Sequence, residues 1–324
     1  MENKYSKKYI ISTGLGLQDV DKLSNSKYFL AESQRYINGE ISLDELDDIV
    51  TSYYNNKPDV EERSEEADKV AIRISKLISD DAFTFTVGQL LSIHSYLFNG
   101  IIKNAGNLRE YNFTKPEWVL DNDSVTYGDY RQLKETLDYD FGVEKNFNYR
   151  NLSTDEIIDH LTIFISNLWQ IHAFEEGNTR TTAVFIIKYL RSLGFDITND
   201  EFANNAWYFR DALVRANYTN ISKGIFEDRS FLALFLRNLL LGEKNTLENK
   251  SLHVNISIPA DNSREVRIIR IMKDNPTVTL DEISKDLGIS LRTVKSLVGA
   301  LQDAGVIERQ NGKRYARWTI VREP

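Results

Sequence analysis

The chain has 324 residues, 41% of them apolar and 11% aromatic, with 40 Lys and Arg against 48 Asp and Glu for a net charge of −8, and no cysteine. Disulfide frameworks and cysteine-based metal sites are thereby excluded, and the apolar share is too high for a disordered protein. The length allows two or three domains, and with no stretch near the roughly 20 apolar residues of a membrane span a soluble cytoplasmic protein is expected.

Residues 1–20 read as polar, and Gly14-Leu15-Gly16 is no dinucleotide loop, because Asp19 stands where a third Gly belongs. Tyr28, Phe29, Tyr36 and Ile37 predict a helix over 24–37, which Asn38-Gly39 breaks. Ser42 with Glu45 is a capping box that opens a second helix over 43–54. A hairpin of this size cannot hold its own core and must pack on the rest or on a partner. Further helices are predicted over 65–78, 87–98, 155–170, 181–193, 201–217 and 228–240. Gly106, Pro116 and Gly128 punctuate residues 100–130. There, Trp118-Val119-Leu120, an Asp121-Asn122-Asp123 turn and Val125-Thr126-Tyr127 predict a β-hairpin that stands on the surface as a flap. Residues 243–263 read as a linker.

The tail differs in charge: residues 264–324 hold twelve Lys and Arg against eight Asp and Glu, a net of +4 on a body of −12. A helix marked by Val266, Ile269 and Met272 is followed by helices over 280–287 and 291–304. Val306-Ile307 and residues 315–320 then flank Gln310-Asn311-Gly312-Lys313, an Asn-Gly hairpin. Three helices and a two-stranded wing resemble a winged helix-turn-helix. Arg292, Thr293, Lys295 and Ser296 would face a DNA major groove from the third helix. Lys313, Arg314 and Arg317 on the wing would meet phosphates. Such domains also dock proteins, so two roles stay open.

Chemistry concentrates in Ile171-His172-Ala173-Phe174-Glu175-Glu176-Gly177-Asn178-Thr179-Arg180-Thr181-Thr182, the polar junction between two apolar helices. The free amides and dipole at a helix start, Gly177, Asn178 and the charge of Arg180 make a seat for phosphates. Glu176 beside it could hold Mg²⁺ with phosphate oxygens and water, and His172 could take a proton from a hydroxyl attacking phosphorus. The same residues also fit an ordinary interhelix turn with a hydrogen-bonded structural His. No Lys follows the Gly, so the stretch is not a Walker A loop.

Residues 172–180 resemble the Fic motif, H-P-F-x-[D/E]-G-N-[G/K]-R-x-x-R, at His172, Phe174, Glu176, Gly177, Asn178 and Arg180. The similarity extends over roughly 65–241, through Lys115-Pro116-Glu117-Trp118-Val119-Leu120 and Ser124-Val125-Thr126-Tyr127, similar to the family's flap, and through the helix at Tyr208-Phe209-Arg210-Asp211. The resemblance implies a protein adenylyltransferase that moves AMP from ATP to a Ser, Thr or Tyr hydroxyl of a target protein. It implies His172 as general base, Glu176 as Mg²⁺ ligand, and Gly177, Asn178, Thr179, Arg180 and Asn217 as ATP-binding residues. Trp118, Val119, Leu120, Val125 and Tyr127 would form the target-binding flap, holding a target backbone by strand addition.

Three departures stand out: Ala173 for Pro, Thr179 for Gly or Lys, and Ala183 for the second Arg, which in the family contacts the terminal phosphates. The family's inhibitory pattern [S/T]-x-x-x-E-[G/N] is matched in spacing only by Thr319 and Glu323, which Pro324 follows, so the inhibitory Glu and its Arg partner are both missing. Tyr36-Ile37-Asn38-Gly39-Glu40-Ile41-Ser42 and Leu43-Asp44-Glu45-Leu46 resemble the small toxin-blocking antitoxin of the VbhA type.

The expected fold is mainly α: a Fic-type helical bundle with a β-hairpin flap, plus a small C-terminal winged helix domain. The expected division is an antitoxin-like hairpin at 1–58, a Fic catalytic domain at 59–242, a linker at 243–263 and a winged helix-turn-helix at 264–324. Expected partners are ATP with Mg²⁺, a target-protein hydroxyl and, through the tail, DNA; a homo-oligomer is compatible with the chain and no membrane contact is expected. The competing expectation is a nucleotide-sensing DNA-binding transcription regulator whose Fic-like domain has weak turnover or none.

Overall fold

The computed structural model describes residues 4–56, 62–254, 264–303, 306–310 and 317–321. Met1–Asn217 with Asp228–His253 forms one unit, and Tyr218–Glu227 with Val254–Pro324 a second.

The first unit begins with a helix where the sequence suggests only polar chain. α1 (Lys7–Gly16) starts at Ser6, whose hydroxyl accepts from the Tyr9 amide at 3.2 Å, and buries Tyr9, Ile10 and Ile11. It packs against α4 (Glu62–Ile78) and α9 (Glu201–Ala216). Burial on two sides leaves no one-sided apolar stripe, which is why the helical period is weak. Gly14 and Gly16 permit the close approach: a Cβ at Gly14 would lie 2.4 Å from the Ala71 carbonyl oxygen, and one at Gly16 would lie 2.2 Å from that of Ala203.

A 3₁₀ turn, Leu17–Asp21, leads to the hairpin of α2 (Lys27–Ile37) and α3 (Leu43–Asn55). Gly39, at φ +82°, closes the turn between them, and Ser42 and Glu45 form the capping box. Phe29, Tyr36, Leu46 and Val50 bury themselves against Ile11 of α1 and against Ala71 and Ile72 of α4. Asp68 of α4 fastens the hairpin, accepting from the Ser26 amide at 3.0 Å, from Asn25 at 3.1 Å and from the Tyr54 hydroxyl at 2.6 Å.

Then come α5 (Val87–Phe98), α6 (Leu133–Lys145), α7 (Thr154–Ile171), α8 (Asn178–Ser192), α10 (Ser230–Leu241) and the short α11 (Asn249–Leu252). α6 is absent from the sequence expectation, although Leu133, Leu137 and Phe141 repeat every four residues and are buried. α8 is the axis of the bundle, since every residue from Asn178 to Leu190 is buried.

Residues 118–127 correct the expected β-hairpin flap. Trp118–Leu120 is a 3₁₀ turn, and one antiparallel bridge, Glu117 to Asp123, closes the loop. Val119, Leu120 and Val125 all turn into the core. Their burial outweighs the strand pairing that would have left half of each strand in water. The expected linker is also corrected over its first part. The Asn245 amide donates to Asn238 at 2.8 Å, Asn249 donates to Asp211 at 2.7 Å, and Leu252 is fully buried.

The second unit contains α12 (Arg264–Asp274), α13 (Leu280–Leu287), α14 (Leu291–Asp303) and the antiparallel pair β1 (Ile307–Gln310) and β2 (Arg317–Ile320). Ile307 pairs with Ile320, and Gln310 with Arg317. Ile268, Met272, Ile283, Val294, Val298 and Trp318 are at the centre of its core. The Trp318 indole donates to the Val278 carbonyl at 2.9 Å, tying the wing to the start of α13. Lys313, Arg314 and the Asn-Gly turn lie outside the described residues. Among the described residues no helix is long and apolar enough to cross a membrane.

Candidate functional site

The motif loop joins α7 to α8. α7 ends at His172, whose backbone turns left-handed at φ +50°, and the chain re-enters helix at Gly177, with φ +73°. Only glycine fits there, because a Cβ would lie 2.4 Å from Cε2 and Cζ of Phe98. Asn178 closes the loop on itself: its side-chain oxygen accepts from the Phe174 amide at 2.9 Å, and its amide donates to the Phe174 carbonyl at 2.8 Å.

Two residues outside the sequence expectation hold this loop. His94 of α5 stacks on Phe174 at 3.7 Å, accepts at Nδ1 from the Gly106 amide at 2.8 Å, and so donates from Nε2 to the Glu176 carbonyl at 3.0 Å. Burial pushes its pKa down to about 4, which keeps it neutral. Arg109 donates to the His172 carbonyl at 2.7 Å, to the Tyr111 carbonyl at 2.6 Å and to the Gly128 carbonyl, while its own amide donates to Ala173 at 2.9 Å. No local spacing marks either residue; the loop groups they hold, the His172 and Glu176 carbonyls, are 63 and 82 residues away.

His172 is buried at 5% exposure. Tyr127 stacks against its ring at 3.9 Å, and Phe113 and Trp169 meet it edge-on at 5.6 and 5.3 Å. Its Nδ1 is buried and has no hydrogen-bond partner among the described residues. Burial, reinforced by Lys115 and Arg109, holds the imidazole well below 6.5, so it is neutral at pH 7 and able to accept a proton.

A cleft of about 480 Å³ opens over the loop. Its wall includes His172, Glu176 and the first turn of α8 at Gly177, Asn178 and Thr179. Four cations, Lys22, Arg63, Lys115 and Arg210, also line it. Arg210 is itself set by the buried Glu117 and by Asp211, whose carboxyl burial raises to about 6. Glu176 is exposed on the wall beside the amides of a helix start, and Asp21 and Glu175 also line the cleft; a carboxylate placed like Glu176 could share a metal with phosphate oxygens. Among the described residues there is no cluster of three or more His, Cys, Asp or Glu that could hold a metal alone.

The structure brings some of the expected site residues together and separates others. His172, Glu176, Gly177, Asn178 and Thr179 share the cleft. The Asn178 amide is consumed by Phe174, and the Thr179 hydroxyl accepts from Trp169 at 2.9 Å, so these two offer backbone rather than side chain. Arg180 is 1% exposed and already engaged: it donates to Glu66 at 2.7 Å and to Gln18 at 3.1 Å. Asp21 Oδ2 stands 2.9 Å from its Nε, an ion contact without hydrogen-bond alignment. Asn217 does not line the cleft; its amide caps α9, donating to Leu213 at 2.9 Å and Ser166 at 3.0 Å. Among the expected flap residues Val119, Leu120 and Val125 are core, Trp118 donates to Asp211 at 3.1 Å, and Tyr127 belongs to His172. On α14, Arg292, Lys295 and Ser296 are exposed, and Thr293 is partly buried with its hydroxyl 2.8 Å from that of Ser290.

Comparison with known proteins agrees with this layout. Residues 84–190 match the Fic/DOC family model, and residues 261–308 match the winged helix-turn-helix DNA-binding model. A Fic family protein from Desulfovibrio desulfuricans G20 aligns over 97% of this chain and 87% of its own, at 14% identity and a TM-score of 0.44. The N-terminal Fic domain of a Bartonella effector protein, from Bartonella sp. AR 15-3, aligns over 56% of this chain and 85% of its own, at 17% identity and a TM-score of 0.41. No curated protein matches the chain. The two distant structural likenesses add no weight; the family matches and the loop geometry do, and the protein carries a Fic/DOC domain around His172 together with a winged helix-turn-helix domain over residues 261–308.

Proposed function

We propose that the protein is a Fic-type nucleotidyltransferase that moves AMP from ATP to a Ser, Thr or Tyr hydroxyl of a target protein. The observation that carries this reading is one cleft lined by a neutral buried imidazole, an exposed carboxylate and the amide-bearing start of α8, with four cations around them. In this reading the target hydroxyl attacks the α-phosphorus, the bond to pyrophosphate breaks, and His172 takes the hydroxyl proton. Backbone amides at Gly177 to Thr179 receive phosphate oxygens. Mg²⁺, held by Glu176, phosphate oxygens and water, would neutralise phosphate charge when bound. Burial, then Lys115 and Arg109, depress the imidazole's basicity; a bound triphosphate would offset the two cations and make His172 a better base.

Labelled ATP tests the proposal. Label on protein from α-phosphate-labelled ATP and none from γ-phosphate-labelled ATP is expected. Label from the γ-position alone would make the protein a kinase instead. His172→Ala should keep the fold and lose transfer, and a fully active variant would refute the mechanism.

A second reading, a nucleotide-sensing DNA-binding regulator with little turnover, is favoured by one observation: Arg180 is occupied by Glu66 and Gln18 and shadowed by Asp21. Absence of label from both forms of ATP supports it. In either reading the tail would contact DNA through the exposed Arg292, Lys295 and Ser296 of α14.

A further inference from the structure

We propose that Tyr127 is the positioning residue of His172, its ring fixing the plane in which the imidazole meets an incoming hydroxyl. This rests on the reading of His172 as general base. A histidine base is usually oriented by an acceptor on its second ring nitrogen, yet His172 Nδ1 makes no hydrogen bond of good geometry among the described residues; the Trp169 carbonyl lies near enough to favour the protonated imidazole against burial but does not fix the ring. Packing must therefore supply the orientation. The Tyr127 and His172 rings lie 3.9 Å apart at an interplanar angle of 25°, a face-to-face contact that only a small range of imidazole rotations permits. Trp169 meets both rings edge-on, at 5.9 Å from Tyr127 and 5.3 Å from His172, and so flanks the stacked pair along one edge.

Tyr127 is itself held in place by backbone. Gln170 donates from its side chain to the Thr126 carbonyl at 3.1 Å, and the Gly128 amide donates to the Gln170 carbonyl at 3.2 Å. Arg109 clamps the Gly128 and His172 carbonyls together. Gly128 favours this fit, because a Cβ there would press on the Ile171 carbonyl oxygen at 3.1 Å. Burial, with the nearby Glu117 second, raises the Tyr127 phenol's pKa, but the hydroxyl forms no hydrogen bond of good geometry among the described residues. The ring, not the hydroxyl, is thus the working part. The charged groups facing the imidazole are Lys115, Arg109 and Arg210; Arg210, Arg109 and Glu117 also act on the Tyr127 phenol, and Tyr127→Phe separates that influence from the ring contact.

The test uses the full chain with Tyr127→Leu, Tyr127→Phe and His172→Ala in the transfer assay across pH. In Tyr127→Leu, kcat should fall about 10- to 100-fold, as expected of a misplaced reacting group. KM for ATP should stay within about 3-fold. The acid limb of the kcat profile should move up in pH as water reaches the imidazole. Tyr127→Phe keeps the ring and should recover most of the lost rate. Wild-type kcat and pH profile in Tyr127→Leu, or a Tyr127→Phe as slow as Tyr127→Leu, would overturn the proposal. Should Tyr127→Leu fail to fold, NMR of the unaltered protein decides: the His172 ring protons, assigned by their loss in His172→Ala, should be shifted upfield by the facing ring, and ordinary positions overturn the inference. An active His172→Ala would instead refute the base assignment, and the NMR shift would be untouched by it.

Discussion

Gly177→Ala probes whether the motif loop is held as tightly as its geometry implies. Two costs combine. An alanine at φ +73° sits in the left-handed region, which costs about 1–2 kcal/mol. Its Cβ would also lie 2.4 Å from two atoms of the Phe98 ring, and relieving such an overlap in a packed core costs about 1–3 kcal/mol more. Phe98 cannot simply swing away, being fully buried with the Arg180 guanidinium 4.8 Å over its ring. The expected loss is about 2–5 kcal/mol. Gly194→Ala is the control: φ is +95° there but nothing lies within 4 Å of the added Cβ, so only the backbone cost of about 1–2 kcal/mol applies. Phe98→Leu combined with Gly177→Ala should return the overlap part as a coupling energy of about 1–3 kcal/mol. Urea unfolding of the full chain, followed by tryptophan fluorescence, measures each variant at constant m. A Gly177→Ala no worse than Gly194→Ala would refute the argument that Phe98 sets the approach of the loop.

Three further outcomes are expected. His94, pushed down to about 4 by burial, binds no proton in the fold until well below the pH at which the unfolded chain takes one, near 6.5. Its contribution is therefore complete above pH 6.5 and lost as pH falls toward 4, about 3 kcal/mol in all. Urea unfolding between pH 7.5 and 4.5 should show this slope, and His94→Gln should make it shallower, the buried His172 supplying part of what remains; an equal slope in both proteins would place the titration elsewhere. Asp21, in the cleft wall 2.9 Å from Arg180 and 3.9 Å from Lys115, puts a negative charge among cations that would serve phosphates. Asp21→Asn should tighten ATP about 5- to 10-fold at low salt, read by calorimetry, and unchanged affinity would put the phosphates away from Arg180. Lys295→Ala should weaken DNA binding and make the salt dependence of log Kd shallower by about one; an unaltered slope would remove α14 from the phosphate contacts.

By itself the sequence determined what is local. Apolar periodicity places most helices of the first unit to within a few residues. The Ser42–Glu45 box starts α3, as found. His172, Glu176 and Gly177 to Thr179 reach one cleft because they lie on a single turn between two helices. Three helices and two strands in the tail likewise follow from pattern and turn chemistry. Tertiary structure decided the rest wherever burial or a distant partner set the outcome. α1 hides its period because α4 and α9 cover two of its sides. Residues 118–127 abandon strand pairing because Val119, Leu120 and Val125 find a core. Arg180 reads as a phosphate ligand from its place in the motif, but Gln18 and Glu66, 162 and 114 residues earlier, reach it in the fold. His94, Arg109 and Tyr127 act on the loop from separate segments, and no spacing along the chain could announce them. The chain thus states which groups could do chemistry, and only packing settles which of them are free to do it and which hold the others in place.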